Sequence, residues 1–543
     1  MKPTRRHFLM GSGALLVPPA LYFWGGRLQD AGAAARDLDA SLRRRYANPL
    51  RPPGEQGWFA PVRVGAVSRL SAVPLSRNLR GNRGTPMWVY QAEVQGRTLI
   101  NPTLIGRAGD EVALRFDNRI EQPSIIHWHG FTNDGKNDGG GMRIAEPGAS
   151  HDYAWRIRNG AGLNWYHPHP HENAGEQVWR GMSGLFLVED EASDRLAREL
   201  NVAFGKTDIP LVIQDRELER SGAMHYTASE KRKFHGMGGN EILVNLTRFP
   251  FIELPRRWVR FRMLNGSNAR LYKLAFRQGQ ASLPFALLGA DGALLEAPLE
   301  IKELFLAPAQ RIDVAIDLRQ AAVGDVWLQT LRFDPMHNEM GMMAGMGEME
   351  GMAAGAGAGA RHVHGARGEG ADEPVLRIQV KEDHSANGRL PHRIGAAAAP
   401  PRVGAAERDF LLDHDGEGHW RINGKTFHQA HDAFRLRNGA REIWRIRNAD
   451  ASMPHPMHLH GFSFSVLSRE NSPAQIKPLV LDRQGRTAQD TGQVDTVLVW
   501  PGETVRVAVD FSMPFRGEQR YMFHCHNLEH EDLGMMLGFS VAG

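Results

Sequence analysis

Short strand-like runs, closely spaced turn residues and a motif recurring along the chain predict an all-β protein of three consecutive Greek-key sandwiches. The runs Met87–Val94, Glu111–Phe116, Ile125–Trp128, Trp155–Arg158 and Leu185–Val188 are rich in β-formers, and glycine and proline break them at short intervals. No long amphipathic helix competes with them. The recurring motif sets the number of units: Val112–Asn118, Val259–Asn265 and Ile443–Asn448 are each a strand that ends in asparagine, spaced to suit one sandwich per copy. A chain of 543 residues with 42% apolar content has ample material for full cores.

The N-terminus reads as an address. Thr4-Arg5-Arg6-His7-Phe8-Leu9 precedes an apolar run from Met10 to Trp24, and small residues at Ala31-Gly-Ala33 and Ala33-Ala-Ala35 offer cleavage sites. This pattern is similar to a twin-arginine export signal, so residues 1–35 are read as a signal peptide taken up by the twin-arginine machinery, and the protein is expected in the periplasm. The run is short for a membrane span, and Pro18-Pro19 interrupts it. Lys2, Arg5, Arg6 and Arg27 against Asp30 give this leader +3 of the formal +4, leaving about +1 for the rest. A nucleic-acid partner is therefore not expected, and a monomer is.

Beyond the leader, residues 57–192 form the first expected sandwich, 205–385 the second and 406–543 the third, with 395–405 as a linker. Inside the second, residues 336–364 change character. Met336, Met340, Met342, Met343, Met346, Met349 and Met352 put seven methionines into seventeen residues among glycine, alanine and acids, and His362 and His364 follow. Lacking β-branched residues, this stretch reads as an insertion in the middle sandwich.

The chemistry converges on Tyr521–Met535. Cys525 is the only cysteine of the chain, which excludes a disulfide framework and a zinc site built from CxxC pairs. His524 and His526 flank it, and His530 and Met535 follow at spacings of five and ten. A thiolate, imidazoles and a thioether are the ligands of a blue-copper electron-transfer site. On a strand, Cys525 faces one way while His524 and His526 face the other, so one strand serves two metal sites.

Three more pairs repeat the HxH pattern: His127/His129 in HWHG, His167/His169 in WYHPHPH and His458/His460 in HPMHLHG. Eight imidazoles suit a cluster of several coppers. Two pairs lie in the first unit and two in the third, so the cluster is expected between them. Trp165–His171 rhymes with Met522–His526, Pro168 standing where Cys525 stands; the middle unit has no HxH and reads as structural. His171, His225, His235, His428 and His431 read as ordinary surface or core histidines.

HWHG, HPHPH, HPMHLHG and HCHNLEHEDLGMM together resemble the four copper motifs of the multicopper oxidases, the laccase-like family of three cupredoxin domains. The resemblance runs from about residue 57 to the C-terminus. It implies four copper ions: a type 1 copper on His455, Cys525, His530 and axial Met535; a type 2 copper on His127 and His458; and two type 3 coppers, on His129, His167 and His526 and on His169, His460 and His524. It further implies that dioxygen is reduced to water with one-electron oxidation of a substrate, and that Glu531 and Asp138 move protons.

In place and character the methionine-rich insertion is similar to that of bacterial periplasmic copper-efflux oxidases, which oxidise Cu(I) to Cu(II) in copper tolerance. Soft thioethers select Cu(I), so an additional labile substrate copper is expected on Met336, Met340, Met342, Met453 and Asp450. The chain departs from that family at Ala451, where an acid is usual, and at Phe333 and Asn338, which replace a methionine and an aspartate. The alternative reading is a laccase-like oxidase of phenols, other organic reductants, Mn(II) or Fe(II). A non-catalytic, division-associated scaffold is a third reading, against which the complete ligand set argues, because such relatives lose their cysteine and histidines.

Overall fold

A computed structural model describes residues 40–80, 84–141, 143–226, 229–339, 368–385, 387–396 and 406–543. Residues 1–35 and six of the seven insertion methionines, Met340 and Met342 among them, lie outside these, as do His362 and His364. Residues 40–45 are helical. From Asn48 onward the chain forms one compact unit.

The described chain makes six sheets, packed as three β-sandwiches. In the first, the sheet ordered Pro61–Arg63, Thr103–Arg107, Gly184–Glu189, Gly162–Pro168, Ile126–His129 faces a sheet centred on Arg69–Arg77 and Glu111–Asn118. Between them lie Leu70, Tyr90, Phe116, Trp128, Tyr166 and Phe186. Two seven-stranded sheets make the second sandwich from strands within Asp208–Lys381 together with the short edge strand Asn48–Pro49. In the third, Ala406–His414, Arg441–Asn448 and Thr504–Asp510 face Met536–Ala542, Glu518–Cys525 and His455–Leu459. Alternation along the strands explains the layering: Glu111–Asn118 exposes Glu111, Ala113 and Arg115 and buries Val112, Leu114 and Phe116.

The asparagine that ends each repeated strand has a physical role. Asn118 donates its side-chain amide to the carbonyls of Gln122 and Ala145, Asn265 to Arg270 and Leu306, and Asn448 to Met453 and Val499. In all three units one side chain closes the same turn and pins it to a second segment. Each repeat also pairs that strand in parallel with an earlier one: Arg69–Arg77, Asp208–Arg216 or Ala406–His414.

The run 155–158 ends earlier than its composition suggests. The strand is Ser150–Arg156, and Ile157 turns inward to the core beyond it. The insertion joins Gly324–Thr330 to Glu373–Lys381, which are antiparallel neighbours in the middle sandwich. Its first residues pack on the third sandwich, Asn338 donating its N–H to the Ser452 carbonyl (3.0 Å).

Candidate metal centre

Four strands bring the HxH pairs together. Ile126–His129 and Gly162–Pro168 run antiparallel with His127 opposite His167, and His455–Leu459 and Glu518–Cys525 run antiparallel with His458 opposite His524. Directly opposed residues share a face. Each sandwich therefore presents four imidazoles on one surface, and the two surfaces meet. His129 stacks on His458 with ring centres 3.7 Å apart, and His127 on His460 at 3.9 Å; His169 and His524 are 5.0 Å apart and His167 and His526 5.1 Å. All eight are buried.

The ring nitrogens divide into two sets. Nδ1 of His127 lies 2.7 Å from the Asp138 carbonyl, of His167 3.0 Å from Pro168, of His458 2.9 Å from Asp495 and of His524 3.0 Å from Cys525. His460 Nδ1 points instead to Asp138 Oδ2 at 2.8 Å. Such outer contacts fix the tautomer and leave the opposite nitrogen as the ligand atom. The Nε2 atoms of His127, His167, His458 and His526 have no partner among the described residues, nor do Nδ1 of His129, His169 and His526. Unpaired polar atoms in a dry interior are costly. Burial and mutual repulsion hold His127, His167, His460, His524 and His526 well below the usual imidazole range, and His169 falls to about 3 mainly by burial. Neutral rings with convergent lone pairs are the form that binds metal.

Donor atoms of His169, His460 and His524 lie within 4.8 Å of one another, as do those of His127, His458 and His460. The rings of His129, His167 and His526 are 5.1–5.6 Å apart centre to centre.

On the opposite face of the same strand, Cys525 Sγ lies 3.4 Å from His455 Nδ1 and 3.7 Å from His530 Nδ1, and those nitrogens are 3.3 Å apart. Those are the separations of three donors about 2 Å from one centre. Met535 is fully buried in the same core, and its carbonyl accepts the Cys525 N–H. Burial pushes the Cys525 thiol up, so a thiolate there needs a cation beside it. Both donor sets fit copper.

A family model described as multicopper oxidase matches residues 80–193 and a second with the same description matches 403–543. The multicopper oxidase mco of Staphylococcus aureus is 29% identical over 442 residues, covering 81% of each chain. The cell division protein FtsP of Photorhabdus laumondii is 28% identical over 98% of each. The crystal structure of McoA multicopper oxidase from the hyperthermophile Aquifex aeolicus superimposes with a TM-score of 0.78 at 32% identity, over 91% of this chain and 99% of that one.

This chain belongs to the multicopper oxidases. Its three sandwiches are cupredoxin-like, and copper is its cofactor.

Two acids reach this oxidase's histidine cluster. Glu531 is buried, its Oε1 3.4 Å from His169 Nε2 and Oε2 3.3 Å from His524 Nδ1. Burial, then Asp532 and Glu529, push it well above the usual carboxylate range. Asp138 lies between His460 and His127, 2.8 and 3.6 Å from their Nδ1 atoms, and is also raised, by burial and then Asp134. Gly139 holds Asp138 there. At φ +77°, a Cβ on it would sit 1.8 Å from the Ile126 carbonyl oxygen, so the loop presses on the strand bearing His127.

The histidine cluster is also bordered by Asp495, Arg311 and Asp291, which none of the sequence motifs contains. Asp495 Oδ1 lies 2.9 Å from His129 Nε2, and Arg311 grips Asp495 with Nη1 (2.8 Å) and Nη2 (2.5 Å). Arg311 and His129 hold Asp495 well below its usual value, while burial and Asp495 push Asp291 up to about 7. No local motif marks these residues; only folding joins segments so far apart.

Of the expected substrate-copper set, Met336, Asp450 and Met453 are described, and the insertion meets the segment of the other two where Asn338 contacts Asp450 and Ser452. Met336 packs with Phe305, Phe333 and Trp500; Met453 lies in the core of the third sandwich; Asp450 offers its backbone carbonyl to Asn338. His235, read from the sequence as ordinary, is buried beside His337 and two glutamates.

Proposed function

We propose that this oxidase takes single electrons from cuprous ion at the Cys525 centre and reduces dioxygen to water at the eight-histidine cluster, as a periplasmic enzyme of copper tolerance exported by the twin-arginine route. The observation that carries the oxidase reading is the strand Glu518–Cys525, which places one donor set on Cys525 and the other on the adjacent His524 and His526. Copper at these donors supplies one-electron acceptors and the site of dioxygen reduction. We assign four: type 1 on His455, Cys525, His530 and Met535, type 2 on His127 and His458, and type 3 on His129, His167, His526 and on His169, His460, His524.

The remaining chemistry belongs to the chain. Cys525 and its peptide neighbours link the two donor sets by a few covalent bonds. Each dioxygen takes four electrons and four protons to become two waters. Glu531, whose proton affinity burial raises, is placed to hold a proton beside His169 and His524. So is Asp138 beside His460. The buried rings and the packed Trp165, 4.2 Å from His167, exclude bulk water.

Two features support cuprous ion as reductant: the methionine-rich insertion, and Met453, which lines a small cavity together with Pro454, the residue preceding the ligand His455. The test is oxygen uptake by copper-loaded protein with Cu(I) and, separately, a simple phenol. Serine at Met340, Met342, Met343, Met346, Met349 and Met352 is expected to slow Cu(I) oxidation by about 10–100-fold and to leave phenol oxidation intact. Unchanged Cu(I) turnover, or none in either protein, would make this a laccase-type oxidase of organic reductants. No oxygen uptake with any reductant would put it with a division-associated scaffold.

A further inference from the structure

One tryptophan packs on both imidazoles of the Cys525 centre. Trp420 opens the short strand Trp420–Ile422, which runs antiparallel to Ala406–His414 with Trp420 opposite His414. The period of two turns Trp420 and Ile422 into the core and leaves Arg421 half-buried between them. The Trp420 ring centre lies 4.6 Å from that of His455, at 74°, and 4.8 Å from that of His530, at 31°. Phe234 stacks on the same indole at 4.8 Å and 12°. Trp420 is wholly buried, as are His455, His530 and Cys525.

The indole also shares a hydrogen-bond acceptor with His530. Trp420 Nε1–H donates to the Phe234 carbonyl at 2.8 Å. Phe234 is the next-to-last residue of the helix Glu230–His235, and carbonyls in a last helical turn have no partner within the helix. The same oxygen lies 3.0 Å from His530 Nε2. His530 Nδ1 faces Cys525, so Nε2 carries the ring proton and donates it to that oxygen. The other contact of Nε2, Asn527 Nδ2 at 3.1 Å, is an amide nitrogen and takes no proton from it. One carbonyl oxygen therefore receives two N–H groups, one from the ligand imidazole and one from the indole.

A hydrogen bond from the outer nitrogen of a ligand imidazole raises its basicity towards the metal. A more basic ligand stabilises the cupric over the cuprous state, because the higher charge gains more from it. A second donor on the acceptor works in the opposite sense: both lone pairs belong to one oxygen, and the charge given to the indole is withheld from His530.

We propose that Trp420 sets the electron affinity of the Cys525 centre. By sharing the Phe234 carbonyl it restrains the basicity of His530 and holds the reduction potential up. Trp420 acts through His530 and is a positioning residue. The inference rests on the reading of His455, Cys525, His530 and Met535 as a copper site.

The test is a redox titration of the copper-loaded full-length protein, followed by its blue absorption, in wild type, Trp420→Phe and Phe234→Leu. Phenylalanine at position 420 keeps an apolar ring and removes the N–H. Leucine at position 234 removes the stacked ring and leaves both the backbone carbonyl and the indole N–H. Trp420→Phe is expected to shift the preference about tenfold towards Cu(II), a potential lower by about 59 mV for one electron. Phe234→Leu is expected to keep the wild-type potential. An unchanged potential in Trp420→Phe, or an equal fall in both variants, overturns the proposal, the second result meaning that packing alone sets the potential. If Trp420→Phe does not fold, Trp420→Tyr, which also lacks the N–H, decides by the same readout. Wild-type protein without a blue band overturns the copper reading of the Cys525 centre and this inference with it.

Discussion

At the scale of single residues, Cys525 shows how one side chain acquires a function through its surroundings. A lone buried thiol is inert, and burial alone holds this one protonated. Two imidazole nitrogens at 3.4 and 3.7 Å from its sulfur give it the surroundings of the metal ligand we propose it to be. Cys525→Ser replaces the soft donor with a hard one of similar shape. The expected result is loss of the blue absorption and of oxygen uptake while the histidine cluster still takes up copper. Metal analysis beside the visible spectrum checks this, and a variant that keeps its blue band would place the thiolate elsewhere. Asp138 and Glu531 follow the same logic in carboxylates: folding takes both out of water beside imidazoles and raises their proton affinity, which is why we propose them as proton holders.

Among elements, the strand ending in asparagine is the unit that repeats. Its side chain does the work of two backbone hydrogen bonds, closing a turn and tying down a second segment at Asn118, Asn265 and Asn448 alike. In the middle sandwich Asn265 also accepts the Ser267 N–H at 3.0 Å. Asn265→Ala strands these buried groups, and an unmade buried hydrogen bond costs about 1–3 kcal/mol. A loss of about 2–3 kcal/mol is therefore expected, read as a lower urea midpoint with copper content unchanged. A variant as stable as wild type would mean that water takes over these contacts. The strands of the histidine pairs show a different economy: alternation puts metal ligands on one face and core or a second metal site on the other.

For the whole molecule, the decisive feature is that the copper cluster is an interface. Neither outer sandwich owns it, and the middle one contributes no histidine to it. The middle sandwich contributes Arg311, which reaches the Leu163 carbonyl of the first (3.1 Å) and Asp495 of the third (2.8 Å) while its N–H meets Asp291 of its own (3.2 Å). That this unit carries no HxH pair is legible in the sequence; the contacts Arg311 makes to both neighbours are not. Arg311→Met leaves Asp495 unpaired beside His129, and breaking a buried pair costs about 3–5 kcal/mol. The expected outcome is a lower unfolding temperature together with reduced copper at the cluster and an unchanged blue band. Loss of stability with full copper content would limit Arg311 to holding the sandwiches together.

The fold class, the recurring asparagine-ended strand and the HxH pairs are all legible in the chain before it folds, because a strand has a period of two and these pairs are local patterns. Cys525 was singled out by being alone, and Pro168 by standing in its place in a rhyming segment. Tertiary structure alone decided what depends on separate segments meeting: the Asp291–Arg311–Asp495 bridge, the approach of Glu531 to His169, and the gathering of His235, His337, Glu339 and Glu369. His235 has no marked neighbour in sequence. It gains its meaning because the chain returns more than a hundred residues later with a glutamate at hydrogen-bonding distance, and no local period carries that information.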